Sequence, residues 1–131
     1  MNEKYVLCGD TAKNVTANGE ITGFSFRVRI PYYRGVALSL IDDICVCIDG
    51  EDVPREALRF EVAAGGAFTL DEMLTVTDYR WEYGEKALLT VQKPGGLTPG
   101  EHTVTLRICL RISYMPKGLH TQVDEKIVIP A

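Results

Sequence analysis

The sequence contains few of the residues from which most active sites are built. Its 131 residues include only two histidines and one tryptophan. No apolar run approaches the ~20 residues that a helix needs to span a bilayer. Residues 1–8 lack the long apolar stretch of a signal peptide. These absences exclude a membrane-spanning helix and predict a cytoplasmic protein.

Catalytic sequence patterns are missing as well. There is no GxSxG nucleophile motif and no glycine-rich phosphate loop. The adjacent carboxylates Asp42-Asp43 and Asp71-Glu72 are the nearest approach to an acid pair, but neighbours on a strand point to opposite faces. Each pair is better interpreted as part of a turn or a helix cap. The sequence therefore predicts no complete active site, no cofactor site and no metal site in this chain.

Composition and charge indicate one ordinary globular domain spanning residues 1–131. Hydrophobic residues make up 46% of the chain and charged residues 24%, which is close to average usage. The formal net charge is -4. Because nucleic acids and anionic membranes are bound by basic faces, this charge argues against both as main partners.

The four cysteines do not form a metal or redox motif. Cys45 and Cys47 have CxC spacing, whereas zinc ribbons and redox motifs use CxxC. On a strand these two side chains share one face, and Cys8 and Cys109 are far away in sequence. Disulfides are rare in the cytosol. We expect four reduced thiols packed as small hydrophobes.

Turn residues and period-2 alternation indicate a two-sheet antiparallel β-sandwich with at most one short helical turn. Turns are predicted at Asn18-Gly19, Asp49-Gly50, Gly65-Gly66, residues 93–100 and residues 115–118. Strands are predicted at residues 5–8, 24–30, 44–48, 59–62, 79–83, 88–92, 103–114 and 126–129. Thr69 and Glu72 have the spacing of a capping box for one helical turn. Trp81 fits the large buried aromatic of such a core.

The two histidines lie in different predicted elements, one in a strand and the other in a loop. His102 begins a predicted strand and has no second potential metal ligand near it in sequence, so it is expected to be a strand-edge histidine near solvent. His120 lies in a predicted loop. Since loops carry many binding residues, His120 is the better candidate for contact with a ligand.

Three aromatic-rich segments follow or interrupt predicted strands, namely residues 27–35, 78–83 and 111–116. Tyrosine and arginine are enriched at interface hot spots because they combine large contact area with directed hydrogen bonds. The alternative is that Tyr32 or Tyr114 closes one end of the core. Arg34 favours a contact surface, because a loop arginine has no packing role there.

Four segments together resemble the small β subunit of bacterial C-glycoside deglycosidases. They are residues 23–35 (GFSFRVRIPYYRG), 81–84 (WEYG), 94–102 (PGGLTPGEH) and 111–116 (RISYMP). The resemblance covers most of the chain, from Gly23 to Pro116.

The resemblance implies a two-component enzyme. Its large α subunit is a TIM barrel that binds a divalent metal, usually manganese, and cleaves the carbon–carbon bond between a 3-oxo-glucosyl group and an aromatic aglycone such as a flavone. The small subunit would dock on this barrel and shape the mouth of its active site. The hypothesis for the contact surface is Tyr32, Tyr33 and Arg34 first, with Tyr114, Met115 and His120 second.

The alternative hypothesis is a protein of a different functional class, a stand-alone carbohydrate-binding or adhesion sandwich. Such modules usually work outside the cell. The missing signal peptide and the free cysteines favour an intracellular protein and therefore the subunit hypothesis.

Overall fold

A computed structural model describes residues 6–30, 35–62, 67–77, 79–82, 85–111 and 118–130. These residues form ten strands and one short α-helix. The elements are β1 (Leu7–Ala17), β2 (Glu20–Val28), β3 (Val36–Ala37), β4 (Ile41–Ile48), β5 (Glu51–Asp52), β6 (Leu58–Glu61), α1 (Leu70–Met73), β7 (Arg80–Trp81), β8 (Ala87–Gln92), β9 (Gly100–Leu110) and β10 (Leu119–Ile129).

The strands form two facing four-stranded sheets. The first sheet has the order β1-β2-β8-β6 and the second has the order β10-β9-β4-β5, while β3 and β7 form a separate two-stranded sheet. Every strand pair is antiparallel. The predicted antiparallel β-sandwich is confirmed. No helix in the described part of the chain is long and apolar enough to cross a bilayer.

One apolar core fills the space between the sheets. The predicted alternation is confirmed on three strands, whose inward rows are buried: Phe24, Phe26 and Val28 on β2; Ile44, Val46 and Ile48 on β4; Val104, Leu106, Ile108 and Leu110 on β9. Trp81 is also fully buried, as predicted. Removing this apolar surface from water is the main force that holds the two layers together.

Two hairpin turns form as the sequence predicts. Asn18 and Gly19 have φ values of 54° and 80°, and Asp49 and Gly50 have 49° and 87°. Two successive residues in the left-handed region define a type I′ turn, whose twist matches that of the flanking strands. The turn that joins β8 to β9 is also present, closed by the Gly96 N–H donating to the Lys93 carbonyl at 2.8 Å. Gly65-Gly66 lies outside the described residues.

The predicted capping box is confirmed at the start of α1. The Thr69 hydroxyl accepts from the Glu72 N–H at 3.1 Å, and the Glu72 carboxylate accepts from the Thr69 N–H at 2.8 Å. Hydrogen bonding of the Glu72 carboxyl group to the Thr69 backbone N–H, and then to the Thr69 side chain, lowers the pKa of Glu72. Two three-residue 3-10 turns, Leu38–Leu40 and Arg55–Ala57, are also present.

Several strand limits differ from the predicted ones. β1 continues to Ala17, and β10 begins at Leu119 instead of residue 126. Ser25, predicted on a polar face, is buried on the inner strand β2, whereas Arg27 on the same face is exposed. The described part of β9 ends at Leu110, whereas the sequence predicted a strand to residue 114; residues 112–117 lie outside the described residues.

The sandwich has two distinct ends. At the end that we call the upper end, β2 and β9 finish at Val28 and Leu110, and β4 and β10 begin at Ile41 and Leu119. The opposite, lower end carries both type I′ turns and the loop formed by residues 93–99, which we call the β8–β9 loop.

Candidate functional site

The predicted contact segments are bounded by residues at the upper end of the sandwich. Tyr32, Tyr33, Arg34, Tyr114 and Met115 lie outside the described residues. The described residues next to these two segments are Ile30 and Gly35 on one side, and Arg111 and Gly118 on the other. Each of these four residues lies within two positions of the end or start of a strand at the upper end.

His120 is the one predicted contact residue that the structure describes, and its prediction as a loop residue is wrong. It is the second residue of β10 and pairs with Cys109 of β9. The sequence missed this part of the strand because inward positions of β10 hold polar Thr121 and Glu125, which interrupt the apolar alternation. His120 is exposed at the upper end, next to the boundary of residues 112–117. Its contact with a ligand or partner stays a prediction.

The outer face of β9 brings His120 to a buried thiol. Cys109 Sγ lies 3.1 Å from His120 Nδ1. Burial raises the pKa of Cys109 and outweighs the opposing effect of the nearby Arg107 guanidinium. The Cys109 thiol is therefore neutral near pH 7 and not an activated nucleophile, since the thiolate is the reactive form.

A second polar group on the same face is centred on Asp43. Its carboxylate accepts from the Cys45 thiol at 3.3 Å and from the guanidinium of Arg55. Arg55 also bonds to Asp71 at 3.2 Å, which connects β4 to the first turn of α1. This network holds the outer face of the second sheet against the 3-10 turn Arg55–Ala57 and against α1. Asp71-Glu72 lies in the capped first turn of α1, as predicted. Asp42-Asp43 lies in β4, so its prediction as part of a turn or cap is wrong.

Asp42 has a separate role at the upper end. β4 shifts register between Ile41 and Asp43, so Asp42 is the extra residue of a β-bulge. Its carboxylate accepts from Arg111 at 2.7 Å. Because both side chains are about half exposed, this ion pair contributes little to stability. The backbone of Arg111, which precedes residues 112–117, is held by its N–H donating to the Leu40 carbonyl at 2.7 Å.

The two-stranded sheet of β3 and β7 anchors Gly35, the described residue that follows residues 31–34. Val36 pairs with Trp81, and the Gly35 carbonyl accepts from Arg80 at 2.9 Å. The indole N–H of Trp81 donates to the Glu85 carbonyl at 3.1 Å, and its ring packs edge-on against Phe60 at 5.0 Å. The chain directly after residues 31–34 is thus fixed to the core.

The four cysteines are unbridged, as predicted, and differ in accessibility. Cys8 and Cys109 are buried, whereas Cys45 and Cys47 are half-buried. We expect iodoacetamide to modify Cys45 and Cys47 first in the folded protein, because the other two are shielded and Cys109 is held neutral. Peptide mass mapping after brief alkylation measures the order, and alkylation in urea provides the control in which all four react. Modification of Cys109 as fast as that of Cys47 would contradict the description of this thiol as buried.

His102 lies at the lower end and is less accessible than the sequence suggested. Only 11% of its side chain is exposed, so the expected position near solvent is wrong. Nδ1 lies 2.6 Å from Asp49 Oδ2, and Nε2 lies 2.8 Å from the Thr98 carbonyl oxygen. The contact between His102 and Asp49 is not predictable from the sequence, because the two residues are 53 positions apart.

The described ranges contain no group of three or more His, Cys, Asp or Glu side chains placed to hold a metal ion. The expectation that any metal belongs to a partner subunit stays a prediction.

Comparison with known proteins gives consistent matches over most of the chain. The family model described as C-glycoside deglycosidase beta subunit matches residues 2–114. A protein of that name from Eubacterium cellulosolvens is 36% identical over 123 residues, which are 93% of this chain and 83% of the relative. Another, from Microbacterium trichothecenolyticum, is 37% identical over 106 residues and 76% of each chain. A 3'-dehydrocarminate deglycosidase beta subunit from Microbacterium is 36% identical over 96 residues, covering 72% of this chain and 70% of the relative.

Proposed function

Because this chain belongs to the family of C-glycoside deglycosidase beta subunits, we propose that it is the non-catalytic subunit of a heteromeric deglycosidase. Its partner is a TIM-barrel α subunit that holds a divalent metal, manganese, and carries out the bond cleavage in the cytoplasm. The observation that carries this proposal is the family match, which covers residues 2–114 and therefore every described strand of the sandwich except β10.

The reaction proposed for the complex is the cleavage of a carbon–carbon bond between a 3-oxo-glucosyl group and an aromatic aglycone of the flavonoid type. The ketone at C3 acidifies the proton at C2. A base on the partner removes that proton, and the aglycone leaves with the bonding electron pair and takes up a proton. The complex is then a carbon–carbon lyase. The relative named for 3'-dehydrocarminate supports a 3-dehydro sugar as the substrate class.

We propose that the upper end of the sandwich docks on the α subunit. The residues that bound both predicted contact segments lie there, and so does exposed His120. The backbone hydrogen bond from Arg111 to Leu40 and the sheet of β3 and β7 fix these boundaries. A fixed support reduces the conformational entropy that a contact surface loses on binding.

The proposal is tested by purifying the α subunit alone, this chain alone and the two together. Cleavage of a 3-oxo-C-glucoside is expected only from the combined sample, with no turnover by this chain. Full activity of the α subunit alone would refute a functional requirement for this chain. Failure of the two proteins to co-elute in size-exclusion chromatography would refute the complex itself.

The contact surface is tested with Arg34→Ala. Truncating a hot-spot arginine costs about 1.4 kcal/mol or more, so we expect binding of the α subunit to weaken about tenfold, with the melting temperature of the isolated chain unchanged. Lys93→Ala is the matched control, since Lys93 is exposed at the lower end. Isothermal titration calorimetry measures both. Equal affinities for the two variants would place the interface elsewhere.

A stand-alone carbohydrate-binding module remains the competing function. An open groove of about 700 Å³ crosses the lower outer face of the first sheet, and its described lining includes Thr22, Gly23, Thr90 and Gln92. No described lining residue is aromatic, so the stacking platform that sugar rings commonly use is not found there. Retention of this chain on a polysaccharide resin would favour the competing function.

A further inference from the structure

The lower end of the sandwich contains a histidine whose two ring nitrogens both face oxygen acceptors. Nδ1 of His102 lies 2.6 Å from Asp49 Oδ2, and Nε2 lies 2.8 Å from the Thr98 carbonyl oxygen. A carboxylate and a backbone carbonyl can only accept hydrogen bonds. A neutral imidazole has one N–H and could satisfy one of them, whereas the imidazolium has two and satisfies both. The geometry therefore selects the protonated ring.

These two acceptors belong to different parts of the fold. Asp49 lies in the turn between β4 and β5, and its other carboxylate oxygen accepts from the Thr103 N–H at 2.9 Å. Thr98 lies in the β8–β9 loop. That loop is fixed to the first sheet by two hydrogen bonds between Asn14 and Leu97, each 2.9 Å long. His102 thus connects a loop anchored on the first sheet to a turn of the second sheet.

A cavity of about 370 Å³ opens between the parts that His102 connects. Its walls include Ile48, Asp49 and Val53 from the second sheet and its connections, and Lys93 and Leu97 from the β8–β9 loop. His102 is therefore bonded to one wall residue, Asp49, and to the loop that supplies Lys93 and Leu97 to the opposite wall.

We propose that His102 is a proton-dependent clamp that holds the β8–β9 loop against the β4–β5 turn and so fixes the cavity at the lower end. When the ring loses a proton, the remaining N–H stays with the Asp49 carboxylate. The Nε2 lone pair then faces the Thr98 carbonyl oxygen, and the loop side of the clamp is released. The nearby Thr98 hydroxyl, 3.4 Å from Nε2, offers only a weak replacement.

The charged groups near the clamp lie in the β4–β5 turn, on the cavity wall, and on β9 and β10. Asp49 is the charged group that bonds to His102. His102 pairs with apolar Ile127 of β10. Glu101, which precedes His102 on β9, is bonded to Lys126 of β10 at 3.2 Å. Glu51, Asp52 and Lys93 line the cavity beside Asp49. The hydrogen bond to Asp49, followed by that to Thr98, raises the pKa of His102 above its ordinary value of 6.5.

The pH range over which the clamp is closed follows from the shifted pKa values of His102 and Asp49. The contribution of His102 to stability is complete below about pH 6.5 and is lost as the pH rises through its higher folded-state pKa. The hydrogen bonds from His102 and Thr103 lower the pKa of Asp49. Its contribution is present above about pH 3.9 and is lost as the pH falls through its lower folded-state pKa. The clamp is therefore closed between these limits and opens on the alkaline side.

An NMR titration of the imidazole Cε1–H signals tests the clamp. The chain has only two histidines, and His120→Gln assigns their signals. We expect the His102 midpoint in the intact chain to lie above 6.5. In Asp49→Asn the amide can donate to Nδ1 of a neutral ring whose Nε2–H bonds to Thr98, so the midpoint should fall below that of the intact chain. A His102 midpoint at or below 6.5, or the same midpoint in both proteins, overturns the proposal.

A thermal measurement provides a second test. The melting temperature of His102→Gln should lie below that of the intact chain at pH 6, and the difference should shrink by pH 9. A difference of equal size at both pH values would show that His102 has only a packing role. If the variant does not fold, the titration of the intact chain still decides. Because the clamp lies opposite the proposed docking end, its failure leaves the subunit function untouched.

Discussion

Replacing Trp81 with alanine is expected to lower the free energy of unfolding by about 3–5 kcal/mol, the usual cost of truncating a buried tryptophan to alanine. The side chain is fully buried, stacks edge-on against Phe60 and donates its indole N–H to Glu85. The substitution leaves a cavity and removes the hydrogen bond to the Glu85 carbonyl. Since small domains are stable by only ~5–15 kcal/mol, this one change should remove a large share of the total.

Chemical denaturation followed by far-ultraviolet circular dichroism measures this loss, because Trp81 is the only tryptophan and its fluorescence disappears with it. Leu74→Ala is the matched control. Leu74 is a large apolar residue that is 45% exposed, so its truncation should change stability by no more than about 0.5 kcal/mol. Equal denaturation midpoints for the two variants would show that Trp81 is not part of the core.

The same substitution has a consequence for docking. Trp81 pairs with Val36, directly after the boundary of residues 31–34. Loss of the indole loosens the support of this boundary without changing Tyr32, Tyr33 or Arg34. Trp81→Ala should therefore weaken binding of the α subunit together with stability, whereas Arg34→Ala should weaken binding alone.

The features that the sequence predicts well are local. Asn18-Gly19 and Asp49-Gly50 encode type I′ turns because glycine and short polar residues adopt positive φ at small cost. Thr69 and Glu72 encode a helix start through their spacing of three residues. Each signal depends on neighbours in sequence, so it does not require knowledge of the tertiary structure.

The features that the sequence does not predict depend on remote partners. β10 extends to Leu119 because its backbone pairs with β9 along eleven residues, although Thr121 and Glu125 interrupt the apolar pattern. The clamp at the lower end brings together His102 and Asp49, which alternation and turn signals place in separate elements. The two predicted contact segments are both flanked by residues at the upper end, and their role in contact stays a prediction. The local structure predicted for His120 is wrong, because its place in β10 depends on pairing with Cys109 of β9.

One further local signal, a glycine within a strand, marks a close approach of two backbones. Gly23 lies in β2, opposite Gln92 of β8, and it is buried. A Cβ added to Gly23 would lie 2.0 Å from the carbonyl oxygen of Val91 and 3.1 Å from the backbone nitrogen of Lys93. The obstruction is backbone in both cases, so no side-chain rotation can relieve it.

Gly23→Ala is therefore expected to force apart β2 and β8, the two inner strands of the first sheet, at the end of β8. Overpacking usually costs ~1–3 kcal/mol and occasionally more. Because the obstructing atoms belong to backbone, we expect a loss of about 3 kcal/mol or more, measured as a lower denaturation midpoint or as loss of soluble folded protein.

Gly19→Ala separates this steric effect from the conformational freedom of glycine. Gly19 has a φ of 80° and no atom within 4 Å of an added Cβ, so alanine there bears only the cost of the left-handed conformation, about 1–2 kcal/mol. Gly23→Ala should be clearly the less stable of the two. If both variants unfold at the same denaturant concentration, then β2 and β8 have room to separate, and the first sheet is less tightly packed there than the structure indicates.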